Sequence, residues 1–181
     1  MRGVSLPGNM HYIGGDIVRE LVALNSARFQ SPRRTFIELD IIDGPLPTAD
    51  AWLCRDALIH FPYSAGIAVL SKFRSSSIKY FLGTTYTNVE NRRDIPFGMW
   101  RPINLVVHPF NLGEPFELIA DSRSGREQHR YLGVWRNPKS LARENDRVRM
   151  FFSRRRSSAT ARRAGGSRID SERMAIGLFS R

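Results

Sequence analysis

The sequence contains one cysteine, Cys54, among 181 residues, so no disulfide can form within a single chain. A reducing compartment is the simplest environment for such a chain, and we expect a cytoplasmic protein. The opening segment MRGVSLPGNM has one arginine and no apolar run after it, which argues against a secretory signal. No uncharged apolar stretch approaches the roughly 18 residues of a membrane helix, so we expect no membrane partner.

Metal ligands and unusual aromatic clusters are also scarce. The histidines show neither an H-x₃-H spacing nor cysteine partners, and we therefore expect no metal site. They are His11, His60, His108 and His129. The three tryptophans, Trp52, Trp100 and Trp135, are interpreted as core or hairpin packing rather than as stacking platforms.

Positive charge, by contrast, is abundant, at 28 Lys and Arg against 17 Asp and Glu. Residues 1–140 carry 17 basic and 13 acidic side chains, whereas residues 141–181 carry 11 arginines and 4 acids. The segment SRRRSSATARRAGGS at residues 153–167 has no apolar period and cannot bury enough surface to fold. Residues 138–181 are therefore predicted to be an Arg-rich, largely disordered tail. It is either a solvated addition or a segment that binds nucleic-acid phosphates in a salt-dependent way.

The remainder alternates between strand and helix patterns. We predict strands over residues 11–16, 35–42, 49–57, 78–86, 116–120 and 131–135. One helix is predicted from Ile17 to about Phe29, and a second begins with Ser64 as its N-cap. A long connection follows the fourth strand. This order predicts an α/β fold with a Rossmann-like, mostly parallel sheet and an antiparallel edge hairpin.

Polar residues stand at the carboxyl end of each of the first four predicted strands, where open α/β sheets bind ligands. They are Asp16, Asp40, Arg55 with Asp56, and Thr84 with Thr85. A strand-end carboxylate can accept hydrogen bonds from ribose hydroxyls or from an exocyclic amine. The alternatives are that the acids cap helices or loops, and that Arg55 and Asp56 merely pair with neighbouring charges.

A family resemblance rests on the order of several segments. YIGGDIV, FIELDI, PLPTADAWLCRDALIHF, IKYFLGTTY and the stretch from ENRRDIPFGMWRPINL to YLGVWR resemble successive parts of class I S-adenosylmethionine-dependent methyltransferases. The likeness covers residues 11–137 and is closest to small bacterial members with C-R-D-x-L-x-H and G-x-W-R-P-x-N-L segments. It implies the strand order 3-2-1-4-5-7-6.

The resemblance also implies roles for individual residues. Asp16 would bind the ribose hydroxyls of S-adenosylmethionine, Asp40 would accept from the adenine amino group, and the backbone of Ile41 would face the ring. Cys54 and Arg55 would line the cofactor side of the methyl-transfer site. Asp56 and His60 are the candidate catalytic bases. The substrate-facing connection would contain Asn91, Asp94, Trp100 and Arg101.

The sequence departs from the family at its start. No glycine-rich turn of the E/D-x-G-x-G-x-G kind occurs, and residues 1–10 are too short a stub for a strand, turn and helix. We therefore expect residues 11–137 to be an incomplete methyltransferase-like domain that lacks the family's first strand and helix. The implied activity is methyl transfer to a small acceptor if the domain is completed upstream, and impaired in this chain. The alternatives are an inactive remnant or interaction module, or nucleic-acid binding through the tail. Cys54, in a predicted strand with Ala, Trp and Leu, is interpreted as a buried hydrophobe rather than a nucleophile.

Overall fold

A computed structural model describes residue 6, residues 8–121 and 129–139, and the backbone of residues 175–180. Within these residues, seven strands form one sheet. They are β1 (His11–Asp16), β2 (Arg34–Glu38), β3 (Ala51–Arg55), β4 (Tyr80–Tyr86), β5 (Glu117–Ala120), β6 (Arg130–Arg136) and β7 (Ala175–Ser180). Two helices, α1 (Arg19–Phe29) and α2 (Tyr63–Ser75), and a 3₁₀ turn at Leu58–His60 complete the described elements.

The sheet order is β2-β1-β7-β3-β4-β6-β5. β1 pairs with β2 and β3 with β4 in parallel, whereas β6 runs antiparallel to both β4 and β5. The predicted α/β class, with a Rossmann-like sheet and an antiparallel edge, is confirmed. Five of the seven described strands point the same way, but four of the six neighbouring pairs are antiparallel, because β6 and β7 run against the rest. The order has the positions that the family resemblance implies, with β7 in the central one.

β7 is the element that the sequence did not predict. It lies within the segment 138–181, and it pairs antiparallel with β1 on one side and β3 on the other. Gly177, for example, is opposite Gly14 of β1 and Leu53 of β3. Residues 140–174 lie outside the described residues, so the expectation of disorder there stays a prediction.

The core lies where β3 and β4 meet α2. Trp52 of β3, Phe73 of α2 and Phe81 of β4 have no exposed surface. The rings of Trp52 and Phe81 pack edge to face at 5.5 Å, and Phe73 lies 5.3 Å from Phe81. Burial of three such aromatic side chains supplies a large part of the apolar surface that stabilises this half of the sheet.

The start of α2 corrects one prediction. The helix begins at Tyr63 with Pro62 as its N-cap, so Ser64 lies inside the first turn rather than capping it. The Tyr63 N–H instead donates to Asp94 Oδ1 at 2.8 Å. A carboxylate from the long connection therefore satisfies a helix amide that has no partner within the helix.

The two helices use their apolar residues differently. α2 buries five residues against the sheet, including Val69, Leu70 and Phe73. α1 buries none, and the side chains of Leu21 and Leu24 are 37% and 51% exposed. The predicted apolar face of α1 is therefore present in the sequence, but the described residues cover it only in part.

The long connection between β4 and β5 is fixed by two asparagines. Asn91 Oδ1 accepts from the Asn104 N–H at 2.9 Å, and its Nδ2 donates to the carbonyls of Asn104 and His108. Asn104 in turn accepts from the Val106 N–H. Because side chains replace strand pairing here, the connection keeps a defined path without a regular element.

Candidate functional site

The parallel strands end at one edge of the sheet, and this edge carries the predicted polar residues. Asp16 ends β1, and Asp40 follows β2, its parallel neighbour. Asp16 Oδ1 accepts from the Val18 N–H at 2.9 Å. Asp40 Oδ1 accepts from Ile42 and Asp43 at 2.7 and 3.1 Å. Neither Oδ2 atom makes a hydrogen bond to a described residue, so each carboxylate keeps one open acceptor oxygen.

In the turn after β2, one backbone N–H, that of Ile41, takes no part in the hydrogen bonds that hold the turn together. The carboxylate of Asp40 binds the second and third amides that follow it, and its carbonyl accepts from the Gly44 N–H at 2.9 Å. The N–H of Ile41 is not one of these groups, while the Ile41 side chain is buried in the core. Thus a backbone donor and the open oxygen of Asp40 belong to the same turn, a combination suited to a flat heterocycle.

At the end of β3 the structure shows a cluster of four charges. Arg55 binds Asp121 through two hydrogen bonds of 2.9 Å each, and its Nη1 lies 3.2 Å from Asp56 Oδ2. Arg130 bridges Asp56 and Asp121 through Nη2. All four side chains are less than one-fifth exposed. Arg55 and Asp56 thus pair with each other and with neighbouring charges.

Asp56 is held in this cluster from several directions. The Thr84 hydroxyl is 3.3 Å from Asp56 Oδ1 and accepts from the Asp56 N–H at 2.9 Å. The backbone of Asp56 adopts a left-handed conformation, with φ of 58°, which aspartate tolerates better than most side chains. Because both carboxylate oxygens already contact a guanidinium group, Asp56 is a poorly placed proton acceptor.

His60 is the more open of the two candidate bases. Its Nδ1 lies 3.1 Å from the carbonyl oxygen of Met99. A carbonyl only accepts, so Nδ1 carries the proton in this contact and the neutral ring keeps its lone pair on Nε2. The His60 backbone carbonyl also accepts from the Gly98 N–H at 3.0 Å, so both the backbone and the ring of His60 are bonded to the long connection.

Cys54 lies in the core rather than at an open surface. It is 1% exposed, and burial raises the pKa of its thiol to about 12. The reactive form of a cysteine is the thiolate, so this thiol is a poor nucleophile. The interpretation of Cys54 as a buried hydrophobe agrees with its place in the hydrophobic cluster.

The connection brings Trp100 and Arg101 to the same side as His60. The Trp100 side chain is 51% exposed, so its interpretation as core packing is wrong, whereas Trp52 and Trp135 are buried as predicted. Trp100 lies on the long connection, outside the hydrophobic core cluster, and its ring meets Tyr86 in a T-shaped arrangement with centroids 6.5 Å apart. Arg101 is buried, and its guanidinium carbon lies 4.1 Å above the Tyr63 ring.

Sequence reasoning missed three residues that shape this edge: Asp121, Arg130 and Tyr63. Asp121 follows the carboxyl end of β5, and Arg130 is the first residue of β6. Antiparallel pairing places these two strand ends side by side, and both residues reach the charged side chains at the end of β3. Nothing in the local sequence identified Tyr63, since its partner Arg101 is 38 positions away.

The described residues contain neither a metal-holding group of side chains nor a membrane-spanning helix. No group of three or more His, Cys, Asp or Glu side chains is arranged to hold a metal ion within the described part of the chain. No helix among the described residues is long and apolar enough to cross a membrane.

Comparisons with known proteins found similarity to solved structures. No family model matches the chain, and no curated protein matches it. The chain is similar to the crystal structure of magnesium protoporphyrin IX methyltransferase from Synechocystis PCC 6803 with bound SAM, at 17% identity and a TM-score of 0.44. The alignment covers 67% of this chain and 57% of that one, so the chain spans less than two thirds of that protein's length.

Proposed function

We propose that this domain belongs to a methyltransferase that transfers a methyl group from S-adenosylmethionine to a small acceptor. The observation that carries the proposal is the pair of open carboxylate oxygens on Asp16 and Asp40, at the carboxyl ends of two adjacent parallel strands. The sheet order and its antiparallel β6 support it. This is the edge of an open α/β sheet where nucleotide-like ligands are bound.

The residues fit the adenosine half of the cofactor better than its methionine half. Asp16 would accept from the two ribose hydroxyls, and Asp40 with the Ile41 N–H would bind the adenine edge. The methionine half normally approaches the backbone of a glycine-rich turn, which this sequence does not contain. We infer that the chain holds the cofactor weakly and that its activity is impaired.

When bound, S-adenosylmethionine supplies an electrophilic methyl group, so the protein mainly orients the acceptor and the cofactor. His60 is the residue we assign to proton removal, because its Nε2 keeps the lone pair when Nδ1 donates to Met99. Arg55, with its carboxylate partners, would shape the floor of the site rather than react. Cys54 would contribute packing beneath that floor.

The position of β7 supports a second candidate, a domain that retains the sheet without methyl transfer. β7 runs antiparallel between β1 and β3, at the centre of the sheet, where the family resemblance implies a parallel strand. A strand of reversed direction there brings its amino end, rather than its carboxyl end, to the ligand-binding edge.

Calorimetry with S-adenosylhomocysteine and with adenosine tests the proposal. We expect both ligands to bind with similar, weak affinity, because only the adenosine half has partners here. Asp16→Ala and Asp40→Ala should each weaken binding about tenfold or more, since each removes charge-assisted hydrogen bonds. Asp43→Ala is the matched control, because Asp43 is an exposed neighbour in the same turn.

The outcomes separate the candidates. If neither ligand binds at millimolar concentration, the adenosine site is refuted and the second candidate is favoured. Micromolar binding of S-adenosylhomocysteine that Asp16→Ala abolishes would refute the inferred impairment instead. Equal weakening by Asp43→Ala would show that the turn, rather than the two open oxygens, determines the affinity.

A further inference from the structure

The side chain of Arg101 is buried without the hydrogen bonds that a buried cation needs. It is 9% exposed, and Nε, Nη1 and Nη2 have no hydrogen-bond partner among the described residues. A guanidinium carries five N–H donors, and leaving them unmet away from water is costly. The burial of Arg101 therefore points to a group that is missing from this side of the domain.

The nearest carboxylate does not supply that group. Asp94 Oδ1 lies 3.6 Å from Arg101 Nη1, beyond hydrogen-bond distance. The same oxygen already accepts from the N–H groups of Tyr63 and Ile95, each at 2.8 Å. Asp94 is thus committed to the start of α2, and it offsets the charge of Arg101 without satisfying its donors.

The ring of Tyr63 determines which part of Arg101 can still bind. The guanidinium lies over that ring at 4.1 Å, so one face is taken by a cation–π contact. The N–H donors lie in the plane of the guanidinium group. A planar edge with paired donors matches the two oxygens of a carboxylate.

Exposed apolar side chains directly precede this cation in the chain. Phe97, Met99 and Trp100 are 59%, 58% and 51% exposed. Phe97 packs with Phe61 in a T-shaped arrangement at 5.4 Å, and Trp100 packs with Tyr86 in the same way. Three large apolar side chains exposed within four residues form a surface that favours an apolar ligand.

We propose that Arg101 and the segment 97–100 form the subsite for the acceptor, and that this acceptor is a small aromatic carboxylate. The assignment rests on the proposed methyl-transfer function and names its substrate class. The carboxylate binds the free edge of Arg101, and the aromatic body lies against Trp100. A monoanion fits better than a phosphate dianion, because the charge of Asp94 lies 3.6 Å from the guanidinium.

The guanidinium nitrogens have almost no accessible surface, so a ligand reaches them only after a local rearrangement, which we assign to the segment 97–100. That segment is bonded to His60. The Gly98 N–H donates to the His60 carbonyl at 3.0 Å, and the His60 ring contacts the Met99 carbonyl at 3.1 Å. The candidate base is therefore bonded to the segment that would bind the acceptor.

Tryptophan fluorescence of the full chain tests the subsite without any cofactor. Trp100 is the exposed one of the three tryptophans, so a ligand at this subsite changes its emission, and Trp100→Phe identifies that signal. The probes are benzoate, benzamide and acetate at constant ionic strength. We expect benzoate to bind about tenfold or more tightly than either benzamide, which lacks the charge, or acetate, which lacks the ring.

Variants of Arg101 then locate the charge. Arg101→Gln should reduce the preference for benzoate over benzamide to about one. Arg101→Lys, which keeps the charge but loses the planar fork, should lose most of it. Arg92→Gln is the control, because Arg92 is exposed on the same connection and pairs with Glu90. If Arg101→Gln does not fold, the lysine variant and the probe series on the unmodified chain still decide the question.

The proposal is overturned if no probe binds, if benzoate and benzamide bind equally, or if the preference survives in Arg101→Gln. Its failure is distinguishable from that of the methyl-transfer proposal. A benzoate preference without binding of S-adenosylhomocysteine or adenosine keeps the carboxylate subsite and removes the assigned reaction. Binding of S-adenosylhomocysteine without a benzoate preference removes only the substrate class.

Discussion

Asp121 holds two arginines at once, and it is the single residue whose loss should disturb the carboxyl edge most. Its Oδ1 and Oδ2 each accept from Arg55 at 2.9 Å, and Oδ2 also accepts from Arg130 at 3.3 Å. Removing this largely buried carboxylate leaves two guanidinium groups with Asp56 as their shared counter-charge. We expect Asp121→Ala to lower the free energy of unfolding by about 3 kcal/mol, measured by urea denaturation.

Glu90→Ala provides the control for this prediction. Glu90 pairs with Arg92 at 2.7 Å, but the two side chains are 73% and 82% exposed. Solvent screens such a pair, so its loss should leave the free energy of unfolding nearly unchanged. Equal effects of the two substitutions would mean that the cluster of four charges is no better isolated from water than a surface ion pair.

At the level of elements, β7 is the strand on which the sheet depends. In the described sheet, β1 has β2 and β7 as its neighbours, and β7 joins it to β3. Leu178 is opposite Ile13 of β1 and Trp52 of β3, so its N–H faces one or the other strand. A proline at this position has no N–H and is disfavoured in a central strand.

We therefore expect Leu178→Pro to lower the free energy of unfolding by about 2 kcal/mol or more. Amide hydrogen exchange should accelerate in both β1 and β3. Leu178→Val, which keeps the N–H and a strand-forming side chain, should leave exchange in both strands nearly unchanged. Normal protection of β1 and β3 in the proline variant would contradict the central position of β7.

The elements also show which parts of the fold were predictable. The strands at His11–Asp16 and Tyr80–Tyr86 and the helix ending at Phe29 follow from apolar periodicity, and the structure has them within two residues of the predicted bounds. β7 was not predicted, because AIGLFS follows a long Arg-rich segment and its place depends on pairing with strands about 120 and 160 residues earlier. Periodicity describes one segment at a time and contains no information on such pairing.

The same reasoning applies to the candidate site. Strand ends identified Asp16, Asp40 and Asp56, because the end of a strand is a local feature of the sequence. The burial of Arg101 without a hydrogen-bond partner among the described residues was not predictable from the sequence. It depends on the packing of α2 against a loop that begins 12 positions after the helix. Local sequence patterns thus located the residues at the carboxyl edge of the sheet. Tertiary packing determines which of the charged side chains there keep hydrogen-bonding atoms without a partner.

Across the whole molecule, the Cys54 thiol and the Tyr12 hydroxyl make the stability of the fold depend on pH in the alkaline range. Burial raises the pKa of Cys54 from 9.0 to about 12 and that of Tyr12 from 10.0 to about 12. In each case the folded state favours the neutral form, so the associated stability is fully present below the unfolded pKa and is lost as pH rises towards the folded value. Few other groups titrate in that range, because only 3 of the 28 basic residues are lysines.

We therefore expect the free energy of unfolding to decline steadily between pH 9 and pH 12, with Cys54 alone contributing about 4 kcal/mol at the upper end. Urea denaturation at a series of pH values measures the slope. Cys54→Ala should remove the part that begins near pH 9, and Tyr12→Phe the part that begins near pH 10, whatever each substitution does to stability at neutral pH. A slope that is unchanged in the double variant would show that these two groups are not deprotonated on unfolding. The alkaline loss would then have to come from the lysines and the remaining tyrosines.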